Sequence, residues 1–324
     1  MRYLKLLFIW SMLLFVYSCS NDADDFSDIS NDTGMEEPNG TTRYNSIVFS
    51  NLTVTENIIY GNNTTQGGVS QDLVMDLYEP EGDVDNNRNL VILAHGGGFV
   101  GGDKASFEDL ARYLAQSGYV VASINYRLLD QVLTQASIKQ AVIEAVFDMK
   151  AAVRFFKHDA ATANLYKINP STIFIGGYSA GAFMGLHYAY VTSDNEIIDI
   201  GGTTLLNYVN ANGGIDGNSG NSGYNTSVKG VLNIAGALLK ASHVDANEPV
   251  LYSVHGTDDT VVPYLSGNAD NTGVITEGSG LIHPVAESVG IGNTLKTIQN
   301  GDHGAFSSCN SCPAELRNFI FQYL

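Results

Sequence analysis

The sequence predicts an α/β fold in which a mostly parallel central sheet is covered by helices on both faces. Three observations predict it. Short, continuous apolar runs of the kind found in buried parallel strands recur along the chain. Stretches with apolar residues at three-to-four spacing separate most of them, and two segments of alternating apolar and polar residues come before the series.

The elements follow in order. Residues 1–18 read as an export signal: Arg2 and Lys5 give a positive start, and Leu6 to Val16 is an apolar run broken by Ser11, too short to span a bilayer comfortably. The run ends in Val16-Tyr17-Ser18-Cys19, which resembles a bacterial lipobox with Cys19 as the acylated first residue. The acidic stretch after it resembles the export tags of Bacteroidetes-type surface lipoproteins. The implied location is the outer membrane, at the cell surface or in the periplasm, held there by acyl chains. An ordinary secretory signal with an incidental Cys19 is the alternative. Residues 19–43 are polar and aperiodic and read as a flexible tether, leaving 44–324 as one catalytic-size domain.

Within that domain, Ser46–Val54 and Leu73–Tyr78 alternate like half-exposed antiparallel strands. Buried parallel strands are predicted at Leu90–Ala94, Tyr119–Ile124, Thr172–Ile175, Val228–Ile234, Val250–Val254 and Leu295–Ile298. Helices are predicted at Phe107–Gln116, Ile138–Phe156, Ala180–Val191 and Ala314–Leu324. The Gly-, Asn- and Ser-rich stretch Asn210–Ser227 reads as an irregular insertion. It follows a helix and precedes a strand, so its ends are expected at the end of the sheet away from the active edge.

The 324 residues are 44% hydrophobic, enough for one large core, and the formal net charge is −18. The tether carries about a third of that charge, and the folded part is acidic too. Phosphate backbones repel such a surface, which argues against nucleic acid as a partner. With Cys19 assigned to lipid, Cys309 and Cys312 remain. A Cys-x-x-Cys pair in an exported chain favours a loop-stapling disulfide over two free thiols, and no further ligands stand at zinc-site spacing.

The chemistry is concentrated in turns that follow strands. Gly177-Tyr178-Ser179-Ala180-Gly181 joins a predicted strand to a predicted helix. A sharp turn of this kind needs small flanking residues, and it lifts a serine hydroxyl above the sheet at the positive end of the helix. In a chain with 34 glycines the pattern could arise by chance, but its strand–turn–helix setting argues for a nucleophile. His95-Gly96-Gly97-Gly98-Phe99 follows another strand, where glycines let backbone N–H groups curl towards a developing oxyanion. The Lys-Ser/Thr ending of a phosphate loop and a dinucleotide fingerprint are both missing. His95 itself fits a structural role.

These motifs, with Ser123-Ile124-Asn125-Tyr126-Arg127 after a strand, resemble the carboxylesterase and hormone-sensitive-lipase-like branches of the α/β-hydrolase superfamily, from about Asp72 to the C-terminus. The resemblance implies an α/β-hydrolase fold and a serine esterase, with Gly97, Gly98 and Ala180 as oxyanion donors. The chain order in this fold is serine, acid, histidine. His255-Gly256-Thr257-Asp258-Asp259-Thr260-Val261-Val262-Pro263 is similar to the family's acid segment, whose carboxylate falls on Asp259 rather than Asp258. His283 and His303 follow the acid. His303, just past the last predicted strand, is the expected base, and His283 fits a structural or substrate-facing role near an expected helix start. Asp302 is expected to face solvent.

The resulting expectation is an esterase acting on carboxylic esters, with carbohydrate acetyl and feruloyl esters as a narrower reading, and no metal or organic cofactor. The loop from Tyr264 to Gly280 is expected to shape the pocket. Two rivals stay open: a prolyl-oligopeptidase-like peptidase, and a surface lipoprotein that binds glycan on a non-catalytic scaffold. Oligomeric state is not readable.

Overall fold

The computed structural model describes residues 43–269 and 272–324. The expectations for the signal segment and for Cys19 therefore lie outside the described residues.

The strands, in chain order, are β1 (Leu52–Thr64), β2 (Ser70–Pro80), β3 (Arg88–Ala94), β4 (Val120–Ile124), β5 (Ile168–Tyr178), β6 (Gly230–Ile234), β7 (Ala237–Leu238), β8 (Val250–Gly256), β9 (Ser266–Asn268), β10 (Ile275–Gly278) and β11 (Asn293–Ile298). The helices are α1 (Glu108–Gln116), α2 (Gln135–Ala161), α3 (Ala180–Tyr190), α4 (Asp194–Ala211), α5 (Ser279–Ser288) and α6 (Cys312–Gln322). Among the described residues eight strands form one sheet in the order β1-β2-β4-β3-β5-β6-β8-β11. The β1/β2 and β2/β4 pairs are antiparallel, and every pair from β4 to β11 is parallel.

Two cores result, because successive residues of a strand point to opposite faces. Leu90, Ile92 and Ala94 of β3 pack with Ala122, Ile175, Val231 and residues of α2 and α3 on one face. Val91 and Leu93 pack with Phe174, Leu232, Val254 and residues of α1 and α6 on the other. Both faces are thus buried, which is why the parallel strands read as unbroken apolar runs in the sequence.

The first strand departs from expectation. Residues 46–49 are not part of β1: the amides of Val48 and Phe49 both donate to the Gln116 carbonyl at the end of α1. The strand itself continues to Thr64, with register shifts at Thr55/Ile58 and Ile59/Gly61 that interrupt the alternation by which it would be recognised. Helix α4 was not foreseen. Its middle holds Gly201 and Gly202, and Gly202 (φ 70°) breaks the helical conformation, so the segment is two short helices joined at a kink. The span 264–280 is also more than a loop, since β10 pairs with both β7 and β9 in a small antiparallel sheet. His283 lies within α5 rather than at its start.

The stretch 212–227 sits where expected, at the N-terminal end of β6, and is anchored on α2. Lys150 donates to the Ile215 carbonyl, Arg154 to those of Asp216 and Gly220, and Lys157 to Asn225 and Ser227. Beside them the buried Arg127 guanidinium binds the Asp148 carboxylate at 2.8–3.1 Å, and Ser219 donates to the same carboxylate at 2.6 Å. Among the described residues no helix is long and apolar enough to cross a membrane.

Candidate active site

The turn from β5 to α3 explains its own glycines. Gly177 and Gly181 both lie against the Ala94 carbonyl at the end of β3, and a Cβ at either position would run into that oxygen. With its neighbours pressed this closely, Ser179 is held at φ 51°, ψ −115°, a conformation rarely adopted outside glycine. Its amide donates to the Ile234 carbonyl at 2.9 Å, which fixes the turn against the end of β6. The side chain heads α3, whose first N–H groups have no partners within the helix.

Ser179, His303 and Asp259 meet here. Ser179 Oγ lies 2.9 Å from His303 Nε2, and His303 Nδ1 lies 2.7 Å from Asp259 Oδ2. A carboxylate can only accept, so Nδ1 carries the ring proton and Nε2 is left to accept from the serine hydroxyl. Asp259 Oδ1 accepts from the amides of Val261 and Val262 at 2.9 and 2.8 Å. Burial alone would raise this carboxyl's pKa. Hydrogen bonds from His255 and His303, the His303 charge and the Val262 amide outweigh it and bring the value down to about 2. Asp259 is therefore ionised throughout the neutral range.

The turns that carry Asp259 and His303 also hold each other. Thr257 N donates to the Ile298 carbonyl and Asp258 N to the Gly301 carbonyl, at 3.0 and 2.9 Å. Gly256 backs onto Gly301 and Asp302, where a Cβ would meet both carbonyls. Asp258 and Asp302 are exposed, and the Asp258 carboxylate accepts from the Thr257 hydroxyl at 3.2 Å. Tyr178 donates from its hydroxyl to the His303 carbonyl at 3.2 Å.

The glycine loop after β3 lies against Ser179: a Cβ on Gly96 would stand 3.3 Å from that of Ser179. Gly97 and Gly98 follow at φ 105° and 60°, and the Gly97 carbonyl accepts from Val100 and Gly101, closing a tight turn. His95 is buried, bonded through Nδ1 to the Gly96 carbonyl at 2.7 Å and stacked on Tyr126. Burial holds its pKa below the usual value, so it stays neutral. His283 is buried against Asn293 at 2.8 Å, and burial lowers its pKa to about 4. Cys309 and Cys312 are disulfide-bonded where α6 begins, shortly after the His303 turn. A cavity of about 390 Å³ lined by Lys150, Tyr188, Ile215, Asp216 and Glu248 lies at the other end of the sheet, away from Ser179.

One neighbour of the site was not singled out in the sequence. His255 reaches the buried Asp259 carboxylate at 3.3 Å from one turn upstream. It reads there as part of the acid's own segment, and its contact with Ser279 spans too much sequence to be visible.

The BD-FAE family model matches residues 75–269. None of the curated proteins matches the chain. Among solved structures, Thermogutta terrifontis esterase 2 phosphorylated by paraoxon is 18% identical, with a TM-score of 0.60 over 86% of this chain and 94% of that one. The same esterase with butyrate bound is 18% identical, at a TM-score of 0.60 over 83% and 92%. With propionate bound it is again 18% identical, at 0.61 over 83% and 93%. At such identity the likeness is one of fold.

Proposed function

Since the chain belongs to the BD-FAE family and is an esterase of the α/β-hydrolase fold, we propose that Ser179, His303 and Asp259 are its nucleophile, base and acid. The observation that carries this reading is the line of hydrogen bonds from Ser179 Oγ through the His303 ring to Asp259, 2.9 and 2.7 Å long.

The chemistry then runs as follows. Ser179 gives its proton to His303 Nε2 while Oγ bonds to the acyl carbon, and the carbonyl π pair moves onto oxygen. The amides of Gly97, Gly98 and Ala180 receive that oxyanion. Collapse breaks the bond to the alcohol oxygen, which leaves with the proton from His303. Water next gives a proton to His303 and attacks the acyl-serine, and the acid departs as Ser179 regains its proton. Asp259 stays ionised throughout and stabilises the imidazolium.

For the substrate we read carboxylic esters with short acyl groups, and more narrowly acetyl or feruloyl esters of carbohydrates. The butyrate and propionate held by the Thermogutta esterase support the short acyl group. The carbohydrate is supported by the likeness of the N-terminus to surface lipoproteins, a class that often serves polysaccharide use. On the same likeness we place the protein at the outer membrane, acylated on Cys19.

The test is hydrolysis of p-nitrophenyl acetate and butyrate by the wild type and by Ser179→Ala, which should lose at least about 10³-fold in kcat. Paraoxon should inactivate the wild type and leave its phosphoryl group on the Ser179 peptide. Equal rates in the two proteins would overturn the reading in favour of the non-catalytic binder. Acetylated xylan and methyl ferulate separate the narrower substrates, and loss of fatty-acid labelling in Cys19→Ala tests the anchor.

A further inference from the structure

We propose that His255 is a positioning residue for the reaction, holding the oxygen of Asp259 to which His303 is bonded; the assignment rests on the triad reading above. The His255 side chain is fully buried on β8. Its Nε2 faces two oxygens, the Val262 carbonyl at 2.9 Å and Asp259 Oδ2 at 3.3 Å. Neither a carbonyl nor an ionised carboxylate has a proton to offer, so Nε2 must be the protonated nitrogen.

The other ring nitrogen agrees. Nδ1 lies 2.9 Å from Ser279 Oγ, at the start of α5. That hydroxyl already accepts from Asn233 Nδ2 at 3.1 Å, so its own proton is free to go to Nδ1. Asn233 is fixed in turn: its amide nitrogen also donates to Ser253 Oγ at 2.9 Å, and its oxygen accepts from the Gly236 amide at 2.8 Å. The donors thus run in one direction, from Asn233 through Ser279 to His255, whose Nε2–H is shared between the Val262 carbonyl at 2.9 Å and, as the longer arm, Asp259 Oδ2 at 3.3 Å. Four elements of the chain set the tautomer of a single ring.

The carboxylate is divided by this arrangement. Oδ1 belongs to the two backbone amides of its own turn, while Oδ2 is shared between His303 on one side and His255 on the other. With His255 in place, turning Oδ2 away from His303 also gives up its share of the His255 N–H in a buried site. The ring edge meets Tyr264 at 5.5 Å between centroids, which keeps it from swinging out.

The test compares His255→Gln with His255→Asn in the full chain. A glutamine amide reaches the place of Nε2 and can still donate; asparagine is too short. With p-nitrophenyl butyrate, His255→Asn should lose about 10- to 100-fold in kcat at a KM within about twofold of the wild type. His255→Gln should stay within about fivefold. The downfield proton resonance of the His303 Nδ1–H···Asp259 bond should vanish in the first variant and persist in the second. Ser279→Ala, which keeps the packing, should lose kcat by a smaller factor, and it carries the test if His255→Asn does not fold.

Wild-type kcat and an unchanged resonance in His255→Asn would overturn the assignment. So would an equal loss in the glutamine variant, or, where His255→Asn does not fold, wild-type kcat in Ser279→Ala. Asp259→Asn serves as the reference. Full activity there would defeat the triad itself, whereas loss there with full activity in His255→Asn would defeat the His255 assignment alone.

Discussion

Tyr178 holds His303 from the position immediately before Ser179: its hydroxyl donates to the histidine's carbonyl oxygen, and the two rings lie 4.9 Å apart. Removing the hydroxyl costs one hydrogen bond, on the order of 1 kcal/mol. Tyr178→Phe should therefore lower kcat by up to about fivefold with KM unchanged. Tyr178→Ala also takes away the ring against which the imidazole rests and should cost at least about tenfold. Steady-state kinetics of the pair, with thermal midpoints alongside, check the ranking.

At the Ser179 turn, Gly181 sits on the Ala94 carbonyl with no room for a side chain. Gly181→Ala forces β3 and α3 apart. We expect it to destabilise the fold by about 1–3 kcal/mol in urea titration. Activity should fall further than stability does, because the displaced elements carry Ser179 and the glycine loop.

Asp259 makes stability depend on acid pH. Its pKa in the folded chain is about 2, below the ordinary 3.8. The unfolded state therefore takes up the proton first as pH falls. The stabilisation, on the order of 2 kcal/mol, is fully present above about pH 4 and disappears as pH falls through 2. Asp259→Asn removes the titrating group. Urea midpoints measured from pH 6 down to 2 should fall less steeply for the variant than for the wild type.

Asp148 is the buried partner of Arg127. Asp148→Asn takes the nearer of two buried carboxylates from the guanidinium, leaving Glu144 at 3.6 Å, and weakens the acceptor of the Ser219 hydroxyl. Loss of one partner in such a pair typically costs about 3–5 kcal/mol. Denaturant unfolding should show that loss, and limited proteolysis should cut the 212–227 stretch faster, while kcat of the remaining folded protein stays near the wild-type value.

How much of this was legible in the sequence varies with the physical origin of each feature. Ser179, Asp259 and His303 each stand in a turn just past a strand end, and the glycines beside them mark places where backbone passes backbone. Those signals are local, and the structure brings the three residues together. The parallel strands were legible because burial on both faces leaves unbroken apolar runs. β1 was misplaced because its bulges spoil the alternation, and α4 was missed because Gly201 and Gly202 interrupt its helical period. β7, β9 and β10 are two to four residues long, too short for any period. The contact of His255 with Ser279 depends on the folded path between them, so nothing nearby in the sequence announces it.

The direct bonding of the Thr257–Asp258 turn to Ile298 and Gly301 means that the turns of Asp259 and His303 are clipped together at the root of a long excursion. Everything from Pro263 to Gly292 leaves and returns through that clip. Of the small antiparallel sheet, β9 and β10 lie within that excursion, so changes in them leave the clip's own hydrogen bonds untouched.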